Sequence, residues 1–212
     1  MRNVIQRLKG ISSFVNLVRD PNRLGQVFQL SDAAVDPAVM RAMADHVSRT
    51  EVGRKALAER PRLKIDLAAL RALPAGTLGR AFAEHMIENG LDPAAIPMLP
   101  DHDELEFVRA HLYDTHDVWH VVTGFGTDVA GELGLQAFYQ AQLPGHLPTA
   151  ILAAGLLNTL LYRFDDRDAR MTEIARGWQL GKRAEPLFGV RWDKLWAQPL
   201  AEIRRDLGLA AN

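Results

Sequence analysis

His116, Asp117 and His120 carry side chains that hold cations or move protons, and their spacing suits one stretch of helix surface. At about 100° per residue the three project within roughly a third of the circumference. Val118, Trp119, Val121 and Val122 make the rest of this turn apolar, so the group is expected in a nearly buried setting, where a charge without a partner is costly. Thr123-Gly124-Phe125-Gly126 should end the helix, with a second helix starting after Thr127 or Asp128 as N-cap. If that turn is centred near Phe125, antiparallel packing at about 1.5 Å rise per residue brings Glu132 level with residue 118, beside both histidines.

Two imidazoles with one or two carboxylates suit Zn²⁺, Fe²⁺, Mn²⁺ or Co²⁺, and zinc is the default by abundance and affinity. The same set serves non-haem iron enzymes that activate oxygen, provided coordination positions stay open. The chain has no cysteine, which removes thiolate nucleophiles, disulfides and iron-sulfur ligation. A His-Asp pair on a helix also occurs as a surface pair or a hydrogen-bonded core histidine. The reach of Glu132 across a Gly-flanked turn is what favours a metal here. A zinc metallopeptidase is an alternative, since histidines at i and i+4 also occur in H-E-x-x-H. Asp117, however, is one methylene shorter than the glutamate that deprotonates the zinc water in those enzymes.

The elements that must position this group read as helices throughout. With 212 residues, 48% hydrophobic and 24% charged, the chain is long enough for one all-helical domain over 1–212. Few β-branched runs and almost no alternation argue for an all-α bundle, with the metal group on a helical hairpin. Helices are expected near 3–19, 22–31, 37–47, 50–59, 66–72, 77–89, 104–123, 128–142, 148–164, 167–181 and 193–207. Asp20-Pro21, Arg60-Pro61, Leu73-Pro74, Asp92-Pro93 and Leu99-Pro100 suit helix boundaries, because the residue before proline is pushed out of the α region. Asp103-Glu104-Leu105-Glu106 can form a capping box, after which Leu105, Val108, Leu112, His116 and Trp119 mark one helix face.

Lys plus Arg number 25 against 26 for Asp plus Glu, so no general attraction to nucleic acid is expected. The N-terminus does not read as a secretory signal, and the apolar run Ala150 to Leu161 is too short to span a bilayer. That run, and the face of Leu135, Phe138 and Tyr139, are candidate walls of an apolar groove, though core helices look the same from sequence. The first segment sets Arg2, Arg7, Lys9 and Arg19 beside Val4, Ile5, Leu8, Ile11, Phe14, Val15 and Leu17, which suits either an anionic membrane surface or core packing. Trp178, Trp192 and Trp196 fit packing, and Arg80 and Arg191 fit salt bridges better than an anion site.

His116-Asp117-Val118-Trp119-His120, followed by eleven residues and Glu132, resembles the H-D-x-x-H-x₁₁-E signature of the coenzyme Q biosynthesis protein 4 family, as in a bacterial member. Arg60-Pro61-Arg62, Leu73-Pro74-Ala75-Gly76-Thr77-Leu78-Gly79-Arg80, Asp103-Glu104-Leu105, Gly131-Glu132 and the ending from Gly177 through Arg191-Trp192 to Leu207 are similar in order and spacing, so the resemblance covers nearly the whole chain. It implies an all-helical fold in which His116, Asp117, His120 and Glu132 ligate a divalent metal, usually zinc; Asp117, as ligand or proton acceptor, and His120 are the candidate catalytic residues there. It further implies a place in ubiquinone biosynthesis, cytoplasmic and peripheral to the inner face of the membrane. The expected partners are a polyprenylated ring precursor and other enzymes of the pathway. The implied role takes two forms: an oxidative decarboxylase that replaces the carboxylate of a prenylated hydroxybenzoate with hydroxyl, or a lipid-binding organiser of the biosynthetic complex. A homodimer is expected because symmetric dimers are the commonest oligomers.

Overall fold

The structure is a computed structural model and describes residues 2–21, 24–33 and 36–210, with the side chains of 2–8, 24, 25 and 33 outside the described set. The expectations placed on Arg2, Val4, Ile5, Arg7 and Leu8 therefore lie outside the described residues, as do the first two positions of the helix expected from 22. Among the described residues there are eleven α-helices and no strand, as the hydrophobic periodicity requires. Contacts divide the chain into two compact units, Met1–Met40 with Gly126–Lys182, and Arg41–Phe125 with Arg183–Asn212.

In the first unit, α1 (Arg2–Arg19) packs on α2 (Leu24–Ala33) and on α9 (His146–Tyr162), and α9 packs on α8 (Val129–Gln142). Leu17, Val18, Leu30 and Ala154 form a small core there, with Phe14, Val27, Leu147, Ala150 and Ile151 against it. Asn158 donates to the Val18 carbonyl at 2.8 Å, which ties α9 to α1. Arg170, on α10 (Arg167–Arg183), is buried and donates to Asn158 Oδ1 at 2.8 Å and Thr159 Oγ1 at 2.9 Å, so its charge is met by oriented dipoles and by Asp166. A Cβ at Gly177 would collide with the Gly134 carbonyl oxygen, so glycine there is what lets α10 lie against α8.

The second unit holds most of α3 (Pro37–Val47), then α4 (Glu51–Glu59), α5 (Leu67–Arg71), α6 (Leu78–Glu88), α7 (Glu104–Thr123) and α11 (Leu200–Asp206). Side chains of Thr50, Asp66, Thr77 and Asp103 cap α4 to α7, each accepting from a backbone N–H of the first turn. At α7 the expected capping box is closed one residue early, with Glu106 N–H donating to Asp103 Oδ1 at 2.8 Å and the Glu106 carboxylate accepting from His102 N–H, before the cap, at 3.0 Å. Two further donors at the start of α6 are met from far along the chain, Leu78 N–H by the Gln198 carbonyl at 2.9 Å and Gly79 N–H by the Trp196 carbonyl at 2.8 Å.

Helix boundaries follow the breakers with one correction. The single helix expected over 193–207 is a 3₁₀ turn at Trp192–Lys194 followed by α11. Pro199 sits at the N-cap of α11, and as a residue without N–H that disfavours α geometry before it, it separates the two. In contrast, Pro148 lies inside the first turn of α9, where a missing N–H costs nothing, so the helix begins at His146 rather than 148.

Candidate functional site

The last two turns of α7 carry His116, Asp117 and His120. Val118, Trp119 and Val122 have no exposed surface and Val121 has little, so they anchor this end of the helix in the core. His120 is 1% exposed and His116 half-buried, with their rings perpendicular at 89° and centroids 4.8 Å apart. The two Nε2 atoms face each other at 3.3 Å.

The turn that follows sets the state of His120. Gly124 has φ +74°, a left-handed conformation that glycine adopts without strain, and its N–H donates to the His120 carbonyl at 2.8 Å. This swings Phe125 back so that its carbonyl oxygen lies 3.1 Å from His120 Nδ1. A carbonyl only accepts, so Nδ1 carries the hydrogen and Nε2, which faces His116 Nε2, is the lone-pair atom of the ring, with the carbonyl orienting the ring as it does around many metal-bound histidines. His85 on α6 stacks on His120, with ring centroids 5.7 Å apart and 24° between planes.

Glu132 stands in the first turn of α8, which Asp128 caps by accepting from Gly131 N–H at 2.9 Å. His116, His120 and Glu132 form the group of residue types that could hold a cation, the two histidines belonging to one compact unit and Glu132 to the other. Asp117 is half-buried and is not part of this group.

The donor set fits a divalent cation. Two nitrogens bound to zinc at tetrahedral angles stand about 3.3 Å apart, which is the His116 to His120 separation found here. The histidines lie in the last turns of α7, where the negative end of the helix dipole favours a cation, and Glu132 lies where the positive end of α8 favours a carboxylate.

Other residues singled out by sequence divide between packed and exposed positions. Leu135, Phe138 and Tyr139 are buried on α8, so this face is core rather than an open wall. Leu156, Leu157, Leu160 and Leu161 of the Ala150 to Leu161 run are exposed. Trp192 is buried and Trp196 packs on Phe82 with ring centroids 5.3 Å apart, whereas Trp178 is exposed beneath the Lys182 ammonium. Arg80 pairs with Glu84, and Arg191 with Asp193 and Glu59, the salt bridging that the sequence favoured. The sequence reading missed His85 and the Phe125 carbonyl. A lone histidine on an amphipathic helix and a backbone oxygen carry no spacing signal that points to the pair.

The model of the family described as coenzyme Q (ubiquinone) biosynthesis protein Coq4 matches residues 3–212. The mitochondrial ubiquinone biosynthesis protein COQ4 of Yarrowia lipolytica is 29% identical over 198 residues, 90% of this chain and 74% of the relative. The mitochondrial COQ4 homologue of Xenopus tropicalis is 28% identical over 98% of this chain and 75% of its own. A crystal structure from Nostoc punctiforme, assigned to ubiquinone biosynthesis, superposes with a TM-score of 0.83 at 30% identity, covering 96% of this chain and 98% of that one. With its helical fold and nearly its full length matched, the chain belongs to the Coq4 family of ubiquinone biosynthesis proteins.

Proposed function

We propose that this ubiquinone biosynthesis protein holds a divalent cation, zinc by default, through His116, His120 and Glu132, and with it carries out oxidative decarboxylation of a prenylated hydroxybenzoate. The observation that carries the reading is the pair of facing Nε2 atoms at 3.3 Å, with the Phe125 carbonyl holding the opposite nitrogen of His120 at 3.1 Å. Bound there, the cation would supply Lewis-acid charge against the ring carboxylate or an adjacent phenolate as carbon dioxide departs. His120 is oriented by the Phe125 carbonyl at its Nδ1, and the apolar turn around it would exclude water from the reacting ring. Asp117, outside the ligand group, is left to accept the proton released as the ring hydroxyl forms. The carbon–carboxyl bond breaks and a carbon–oxygen bond forms, a two-electron oxidation of the ring carbon. With dioxygen as oxidant the balance is ring-COOH, dioxygen and water giving ring-OH, carbon dioxide and hydrogen peroxide.

The test is metal analysis of purified protein together with carbon dioxide release from a prenylated dihydroxybenzoate analogue under oxygen. The expected result is one equivalent of metal and release that exceeds the His120→Ala level by about 100-fold or more. Release no greater than that of His120→Ala would sink the catalytic reading.

The face of α9 favours a lipid-binding role alongside the chemistry. Its seventeen residues hold no Asp, Glu, Lys or Arg, and Leu156, Leu157, Leu160 and Leu161 stand 39 to 63% exposed on one stripe. No helix among the described residues is long and apolar enough to cross a membrane. A stripe of this kind suits peripheral contact with acyl chains, from which a polyprenylated ring would be taken. The same stripe supports the alternative organising role, in which partner enzymes and the lipid gather on this face and the cation is structural.

A further inference from the structure

The C-terminal end of α7 has a second determinant, remote in sequence. Thr123 Oγ1 donates to the Trp119 carbonyl and Gly124 N–H donates to the His120 carbonyl. The next two carbonyls, of Val121 and Val122, accept from Arg204 on α11, at 2.8 Å from its Nη2 and 3.0 Å from its Nε. The helix end leaves the carbonyls of residues 120–123 without intrahelical donors, so two of these four depend on one side chain. Arg204 has no carboxylate partner among the described residues, and burial pushes its guanidinium below its usual value. It is therefore held by the two carbonyls and by the negative end of the α7 dipole. Its Nη2 also lies against Gly124, 3.6 Å from where a Cβ would sit.

We infer that Arg204 is a positioning residue for the His116 and His120 pair, holding the last turn of α7 so that the Phe125 carbonyl fixes the ring and tautomer of His120. The inference rests on the metal reading above. Both of its bonds fall on the residues immediately after His120, and the Gly124 turn that they brace delivers the Phe125 oxygen to His120 Nδ1. Without the guanidinium the two carbonyls turn toward water, the turn loosens, and His120 samples the tautomer that places hydrogen on the ligand atom.

The experiment compares wild type, Arg204→Met, Arg204→Lys and, as a control destabilised elsewhere in the same unit, Leu57→Ala. Each folded protein, checked by circular dichroism, is titrated with Co²⁺ alone by visible absorption, and the metal-free His120 imidazole is read by ¹⁵N resonance. Arg204→Met should bind Co²⁺ about tenfold more weakly, the lower end of what loss of an outer partner costs a metal site. It should also lose the dominance of the Nδ1–H tautomer. Arg204→Lys, with one point donor in place of a fork, should fall between, and it decides the matter by the same two readouts should Arg204→Met not fold. Leu57→Ala should match wild type in both. Wild-type affinity and tautomer in Arg204→Met, or equal weakening in Leu57→Ala, would overturn the role of Arg204 while leaving the metal site standing. Absence of Co²⁺ uptake by wild type would overturn the metal reading and this inference together.

Discussion

At the residue scale, the difference between Asp117 and the other three signature positions is the point of most consequence. Sequence spacing puts Asp117 on the same helix surface as both histidines, and the group that could hold a metal comprises His116, His120 and Glu132. A ligand and a proton acceptor respond differently to the same substitution. Replacing Asp117 with asparagine keeps shape and most hydrogen bonding but removes basicity. We expect Asp117→Asn to retain metal at near wild-type stoichiometry while turnover falls about 100-fold, the usual worth of a positioned base. Glu132→Gln, in contrast, should lower both, because a neutral amide is a poor ligand for a hard cation. Metal content and carbon dioxide release measured on the same samples separate the cases. Loss of metal in Asp117→Asn would return that residue to the ligand set.

At the element scale, α9 and α7 show what a local pattern reveals and what it conceals. The α9 leucines were legible as an apolar run, but periodicity alone could not tell an exposed stripe from a core helix, and only burial separates Leu157 and Leu161 from Leu135 and Phe138. If the stripe meets lipid, Leu157→Glu with Leu161→Glu should weaken cosedimentation with phosphatidylcholine vesicles by about 3 kcal/mol, near a hundredfold, from two leucine side chains left in water. Unchanged sedimentation would remove the membrane from this face. For α7, the cap at Asp103, the stop at Gly124 and the restart at Asp128 were all readable, because each depends on residues within four positions of the break. Arg204 was not, since its bonds to Val122 and Val121 span 82 and 83 residues and leave no trace in local spacing. The break at Pro199 was readable in principle.

At the scale of the whole molecule, acid stability is set in part by a histidine with no place in the chemistry. His111, on α7, is 4% exposed, with Gly189 N–H donating to its Nε2 at 3.1 Å. Nε2 is thus the acceptor, and the backbone of Pro61 takes the hydrogen bond at the other nitrogen, so one neutral ring joins three separate stretches of chain. Burial holds it well below the usual value, at about 4 against 6.5, even though the Asp114 carboxylate pulls the other way. Protonation at Nε2 would also break the Gly189 bond. The sign follows directly: between these two values the unfolded chain takes up a proton that the folded chain refuses. The stabilisation is full above about pH 6.5 and is lost as pH falls towards about 4. The loss approaches about 3 kcal/mol, a large part of the stability of an ordinary domain. His111→Gln keeps an acceptor for Gly189 without a group that titrates in this range. Urea unfolding at a series of pH values, with chelator present so that metal release does not contribute, should give a steep decline in wild type. The variant should be less stable at neutral pH and show a shallower decline. Because His116 and His120 are common to both proteins, the difference between the two slopes belongs to His111. Parallel slopes would mean that its ring is protonated in the folded state and that the Gly189 contact is not what keeps it neutral.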